Sequence, residues 1–226
     1  LAEPAISRAE YARETGLDPE ATWIALLPGS RKRAVRVTLP AMAAAATLLQ
    51  QRSGREYSFL LPIASNLDEG WLRNEIAHSG AFPGPRIVIV KNARPALHQS
   101  SAAVVTSGTA TVEAALMGCP FVAVYRLSPL TFWAAKRLVK VPFAAMPNLI
   151  AGRQIVPEFL QNDFTPERVA AELQALLEDQ SKREQMIAGF AEVREKLRSR
   201  PGAQQSSAIE RAADAVLRAL PSSGNR

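Results

Sequence analysis

The sequence predicts an α/β fold, a Rossmann-like doubly wound parallel sheet followed by C-terminal helices. Three observations predict it. Short apolar runs of strand length alternate with longer helix-forming segments, the pattern of a parallel sheet covered on both faces. The runs are rich in residues that suit buried strands, RIVIV at Arg86–Val90 most of all. Between Ala102 and Arg126 the chain reads strand, polar turn, helix, turn, strand, a complete βαβ unit.

Taken in order, Leu1 to Thr22 is a lead-in or linker with one short helix, capped by Ser7 with Glu10 three residues on and ended by Gly16. Trp23–Leu27 is the first strand. Pro28-Gly29-Ser30 turns into Arg31-Lys32-Arg33 and an Ala-rich helix to about Arg52. Tyr57–Leu61 is the next strand, with a helix from about Asp68 to His78. Arg86–Val90 follows, and Asn92–Ser101 holds a short helix after Arg94-Pro95. Ala102–Thr106 is a strand, Ser107-Gly108-Thr109 a turn, Ala110–Met117 a helix stopped by Gly118, and Phe121–Tyr125 a strand. Ser128–Lys140 reads as helical, with Phe132 and Trp133 beside Lys136, Arg137 and Lys140. Pro142–Arg153 reads as loop, from its two prolines and glycine, and Ile155–Gln161 as a short apolar turn. Thr165-Pro166 caps a helix carrying the Val169, Leu173, Leu176, Leu177 stripe. Charged helices fill Ser181–Arg198 and Ala203–Leu220. The expected organisation is a lead-in over residues 1–22, a ligand-binding domain over 23–200 and a helix and tail over 201–226.

The chain has 226 residues, 47% of them hydrophobic and 21% charged, the composition of a globular protein. A lone Cys119 excludes an internal disulfide and any multi-cysteine metal site. The net charge of +6 and the pI near 9.9 suit an anionic partner, whether nucleic acid, anionic membrane or phosphorylated substrate. No apolar segment is long enough to span a bilayer, and the start lacks the basic and apolar regions of a signal peptide. It begins at Leu1 rather than Met, as a piece of a longer or processed protein does.

In a doubly wound sheet, ligands bind beyond the carboxyl ends of the strands. Three groups are expected there. Gly29-Ser30-Arg31 follows the first strand: the glycine lets backbone approach a ligand, and the arginine offers a fork of donors to phosphate oxygens. Three cations at a helix N-terminus oppose its dipole unless an anion offsets them. Ser107-Gly108-Thr109 opens a helix, where free amides and the positive helix end attract an anion. Glu113 lies one turn in and leans back toward that mouth, where a carboxylate suits a pair of sugar hydroxyls. Asn148, with Arg153 nearby, can read a donor and acceptor edge. A plain βα turn, a solvated basic helix start, a surface glutamate and a turn-forming asparagine are the respective alternatives. No G-x-G-x-x-G fingerprint or Walker loop is present, which disfavours a nicotinamide dinucleotide. His78 and His98 stand apart and read as surface or capping residues.

LLPGSR (Leu26–Arg31), TSGTATVEAALMGCPFVAVYR (Thr106–Arg126), LTFWAAKRLVK (Leu130–Lys140) and PNLIAGRQIVPEFLQ (Pro147–Gln161) occur in this order. Together they resemble the C-terminal half of lipid-A-disaccharide synthase, over nearly the whole chain. The resemblance implies the donor-binding half of a GT-B inverting glycosyltransferase. That enzyme joins UDP-2,3-diacylglucosamine to 2,3-diacylglucosamine 1-phosphate as a β-1,6 disaccharide and releases UDP. By motif, Arg31 offsets the diphosphate, Gly29 and Ser30 flank it, Ser107, Gly108 and Thr109 line the phosphate turn, Glu113 holds the ribose and Asn148 contacts the nucleotide. No metal and no cofactor are implied. The implied partners are the donor, the lipid acceptor, an N-terminal acceptor domain, an anionic membrane surface at the cytoplasmic side of an inner membrane and a second copy in a homodimer, with no nucleic acid among them. The family's catalytic base, an aspartate of the N-terminal domain, has no counterpart here, so the chain alone is expected to be inactive. Family members also carry an acidic residue three positions after the LPGSR arginine, where this chain has Ala34. A non-catalytic UDP-sugar-binding module is the alternative, with a UDP-sugar epimerase-like domain disfavoured by the PNLIAGR and VPEFLQ runs.

Overall fold

A computed structural model describes residues 6–79, 84–126, 142–198 and 213. Its strands are β1 (Thr22–Leu27), β2 (Tyr57–Pro62), β3 (Arg86–Val90), β4 (Ala102–Thr106), β5 (Phe121–Tyr125) and β6 (Glu158–Leu160). Its helices are α1 (Arg8–Thr15), α2 (Lys32–Ser53), α3 (Glu69–His78), α4 (Ala93–Gln99), α5 (Thr109–Leu116), α6 (Met146–Ala151), α7 (Pro166–Glu178) and α8 (Gln180–Arg198). The six strands form one parallel sheet in the order β3-β2-β1-β4-β5-β6. This is the doubly wound arrangement the sequence predicts. The order reverses between the central strands β1 and β4, paired from Ile24 with Ala102 to Leu27 with Val105. Such a reversal leaves a crevice above the two strand ends.

The four inner strands are buried on both faces, which explains their unbroken apolar runs. Trp23, Ile24, Ala25 and Leu26 of β1, and all of Ala102–Val105 in β4, are fully buried. Met42, Ala45, Ala46 and Leu49 of α2 share a core with Val169, Ala170, Leu173 and Leu176 of α7. Phe121 stacks on Phe190 of α8, ring centroids 5.7 Å apart. A second cluster joins Tyr11 and Ala12 of α1 to Trp23, Leu60, Val90 and Ala96.

The caps follow local chemistry. Ser7 accepts from the Glu10 amide and Gly16 ends α1 in the left-handed region; Thr165 accepts from the Arg168 amide at the start of α7. Arg8 then ties α1 to the sheet. Its guanidinium donates to Pro19 O at 2.7 Å, Ala21 O at 2.6 Å and Gln99 O at 2.7 Å, and lies 3.8 Å from the Trp23 ring centroid. Arg8→Met keeps the stem but removes three charge-assisted bonds. It is expected to lower unfolding free energy by about 2–3 kcal/mol, read by urea denaturation followed through tryptophan emission.

Three readings need correction. Pro142–Arg153 is not all loop: α6 occupies Met146–Ala151, with Pro147 in its first turn, where the missing amide proton has no intrahelical partner to lose. Ile155–Gln161 is not simply an apolar turn. It contains β6, whose Val124–Phe159 register adds a sixth strand. Helix α4 starts at Ala93, so Arg94 and Pro95 lie in its first turn rather than before it. The helical reading of residues 128–140, with Phe132, Trp133, Lys136, Arg137 and Lys140, and that of 203–220, lie outside the described residues.

Candidate functional site

The carboxyl ends of β1, β2, β4 and β5 open into a cleft of about 890 Å³ at the strand-order reversal. Seven of the eight expected site residues line it: Gly29, Ser30, Arg31, Ser107, Gly108, Thr109 and Glu113. Asn148 does not.

One wall is the β1–α2 turn. Gly29 has φ +105°, which favours glycine, and a Cβ there would stand 3.1 Å from the Ala34 Cβ, a tight contact that favours it further. Thr38 Oγ1, buried, lies 2.8 Å from Pro28 O and 2.9 Å from Ala34 O, tying the turn to α2. Asn66 Nδ2 donates to Ser30 O at 2.9 Å. Arg31 is the N-cap of α2 and makes no side-chain capping bond, and the first turn holds no acidic residue. Lys32 and Arg36 lie 5.2 and 5.7 Å from the Trp71 ring centroid, and Arg36 pairs with Glu75. Arg31 therefore keeps an exposed, uncommitted guanidinium at the cleft, among the described residues.

The opposite wall is the β4–α5 turn. The Ser107 amide donates to Val124 O at 2.8 Å, and its hydroxyl donates to Ala144 O at 2.7 Å. Gly108 follows at φ +149°. Thr111 holds the Gly108 carbonyl from two sides, by its amide at 3.1 Å and its hydroxyl at 2.6 Å. With that carbonyl held by Thr111, the Gly108, Thr109 and Ala110 amides precede the first intrahelical bond and, among the described residues, are open to an anion. Ser107 offers the cleft no free proton, because its amide is committed to Val124 and its hydroxyl to Ala144; it shapes the turn. Thr106 Oγ1, in the cleft lining and only 8% exposed as a residue, has no hydrogen-bond partner among the described residues. Glu113 is half-buried one turn further along.

Asn148 is a correction. Its side chain is wholly buried, donating to Val156 O at 2.9 Å and Glu158 Oε1 at 2.7 Å and accepting from the Ile155 and Val156 amides at 2.7 and 2.9 Å. Two donors and two acceptors exhaust the primary amide. It closes the α6–β6 turn instead of facing the cleft. Arg153, beside it in sequence, pairs with Glu192 on α8.

Sequence reasoning missed Arg126. It sits at the carboxyl end of β5 in the cleft lining, donates to Phe164 O at 2.5 Å and lies 4.9 Å from the Phe164 ring centroid. It adds a positive charge to a lining that already holds Arg31 and Arg33. Only its place directly after a strand could have flagged it. Cys119 is no nucleophile: it is fully buried, and burial pushes its thiol up to about 12. Among the described residues no group of three or more His, Cys, Asp and Glu side chains could hold a metal ion.

The parallel sheet with its strand-order reversal is a Rossmann-like fold of the kind found in GT-B glycosyltransferases. Solved structures share that fold. Spinosyn forosaminyltransferase matches with TM-score 0.55 at 17% identity, covering 95% of this chain and 48% of that one. The calicheamicin glycosyltransferase matches with TM-score 0.52 at 18% identity, over 89% and 42%. At such identities the likeness is one of fold. Sequence carries the assignment further. The family described as lipid-A-disaccharide synthetase matches residues 3–212, and the chain belongs to that family. It is 48% identical to the lipid-A-disaccharide synthase of Koribacter versatilis over 211 residues, 93% of this chain and 53% of that protein. It is 46% identical to the one from Acidobacterium capsulatum, over 95% and 55%. The chain thus spans about half the length of the curated relatives it matches.

Proposed function

We propose that this chain is the donor-binding half of an inverting glycosyltransferase that joins UDP-2,3-diacylglucosamine to 2,3-diacylglucosamine 1-phosphate, forming the β-1,6 disaccharide and UDP. The observation that carries it is the uncommitted Arg31 facing the cleft opposite the free amides of Gly108, Thr109 and Ala110. On this reading the amides and Arg31 hold the diphosphate, and Glu113 binds the ribose hydroxyls. As an acceptor hydroxyl attacks the anomeric carbon, the carbon–oxygen bond to UDP breaks on the opposite face. The departing electron pair becomes charge on the terminal phosphate, where fixed donors lower the barrier most. Arg126 adds long-range stabilisation from the end of β5.

The base that takes the acceptor proton belongs, on this reading, to the half of the relatives that the chain does not span. These 226 residues then bind donor without turning over. The partners are the donor, the lipid acceptor, an acceptor-binding domain and the anionic surface of an inner membrane, toward which the net charge of +6 draws the chain. Among the described residues no helix is long and apolar enough to cross a membrane.

Calorimetric titration tests the site. UDP is expected to bind the wild-type chain, and Arg31→Ala to weaken it about tenfold, the loss of one charge-assisted contact at a solvated site. Equal affinity in both proteins removes Arg31 from the site, and steady disaccharide formation by the 226-residue chain would falsify the donor-half reading.

A further inference from the structure

Glu158 opens β6, an edge strand, and its carboxylate does not line the cleft. It nonetheless gathers three N–H donors. Oε2 accepts from the Ala144 amide at 2.8 Å, and Oε1 accepts from the Ala145 amide at 2.9 Å and from Asn148 Nδ2 at 2.7 Å. Asn148 in turn holds Ile155 and Val156, the residues leading into β6. Residues 144–145 are thereby fixed against the edge of the sheet. The Ala144 carbonyl accepts the Ser107 hydroxyl, the first side chain of the anion-facing turn.

We propose that Glu158, with Asn148, is a positioning residue for the Ser107–Gly108–Thr109 turn, acting through the backbone of Ala144 and Ala145. The proposal rests on reading the cleft as the UDP-sugar site. The physical case lies in the series of bonds. Ser107 is pinned at its amide by β5 and at its hydroxyl by Ala144. The second pin is only as rigid as Ala144, and Ala144 is held at its amide by a carboxylate, a stronger acceptor than a neutral group. Slackening that hold frees the Ser107 rotamer. Gly108, at φ +149°, is then held from the α5 side alone, by Thr111 on its carbonyl, and the next amides are less firmly aimed at one point. Preorganised donors lose their advantage when their direction fluctuates.

Two variants of the full chain separate this from a role in stability alone. Glu158→Gln keeps shape and places a donor where one of the amides needs an acceptor. Ser107→Ala cuts the link at its other end. In Glu158→Gln, the amide resonances of Gly108, Thr109 and Ala110 are expected to shift and exchange faster, while those of β1 stay fixed. UDP affinity is expected to fall about fivefold in each variant, and in the double variant no further than in the weaker-binding single, because both cut one path. Unchanged Gly108–Ala110 resonances, or losses that multiply in the double variant, overturn the proposal. If Glu158→Gln does not fold, the reciprocal measurement decides: Ser107→Ala must move the Ala144 and Ala145 resonances, and their constancy refutes the link. If wild-type chain binds no UDP while the turn resonances still respond to Glu158→Gln, the UDP-site reading falls and the mechanical link stands.

Discussion

Asn148→Asp is expected to lower the unfolding free energy by about 3–5 kcal/mol, the range for a buried charge set against unpaired groups. The substitution changes one atom type and almost no volume. The amide nitrogen that donates to Val156 O and Glu158 Oε1 becomes a carboxylate oxygen, so two bonds at 2.9 and 2.7 Å become contacts between acceptors. One of those contacts is also a like-charge pair. Asn148→Leu removes all four bonds but adds no charge, and is expected to lose less. Burial and the Glu158 carboxylate raise the pKa of the introduced carboxyl in the folded state above its unfolded value. The folded state then binds the extra proton more tightly, so the deficit relative to wild type shrinks as pH falls. Urea denaturation of the three proteins at two pH values checks this. A nucleotide-contacting asparagine would be told apart by stability, its variants weakening UDP binding with little change in unfolding free energy.

That contrast marks where the sequence was legible. β1 to β5 could be read because each is a near-continuous apolar run, buried on both faces in all but the half-exposed edge strand β3, and the helices between them carry local stop and start chemistry. β6 could not. It has three residues, begins with a glutamate and is a strand only because β5 lies beside it. Helix α6 was hidden by Pro147, which breaks helices in their interior but is tolerated in their first turn. The site divides in the same way. Gly29, Arg31 and Gly108 sit just beyond strand ends, and Glu113 one turn into the helix that follows, so chain order and helix geometry put them at the cleft. Asn148 and Glu158 have roles fixed by burial and by partners across a turn. No spacing rule distinguishes a saturated buried amide from one that awaits a ligand. Arg126 escaped for a related reason: its orientation depends on Phe164, 38 residues away.

Gly108→Ala is expected to lower stability by about 2 kcal/mol, the strain of a side chain in a backbone region open almost only to glycine. The dihedrals are φ +149° and ψ −161°. A Cβ at that position meets nothing within 4 Å, so the penalty comes from the backbone and not from crowding. Gly29 supplies the comparison. At φ +105° it carries backbone strain as well as a Cβ contact of 3.1 Å to Ala34, so Gly29→Ala is expected to lose more stability than Gly108→Ala. The effects on ligand follow from what each turn can do to escape. Rotating Gly108 relieves its strain but breaks the grip of Thr111 on its carbonyl, and the Thr109 and Ala110 amides turn with it. UDP affinity is therefore expected to fall about tenfold in Gly108→Ala, as for the loss of a strong contact. Denaturation and calorimetry on the same preparation read both effects. Wild-type affinity in Gly108→Ala would mean that the ligand does not depend on the direction of these amides, and the anion site would have to be built from the arginines of the lining, Arg31, Arg33 and Arg126.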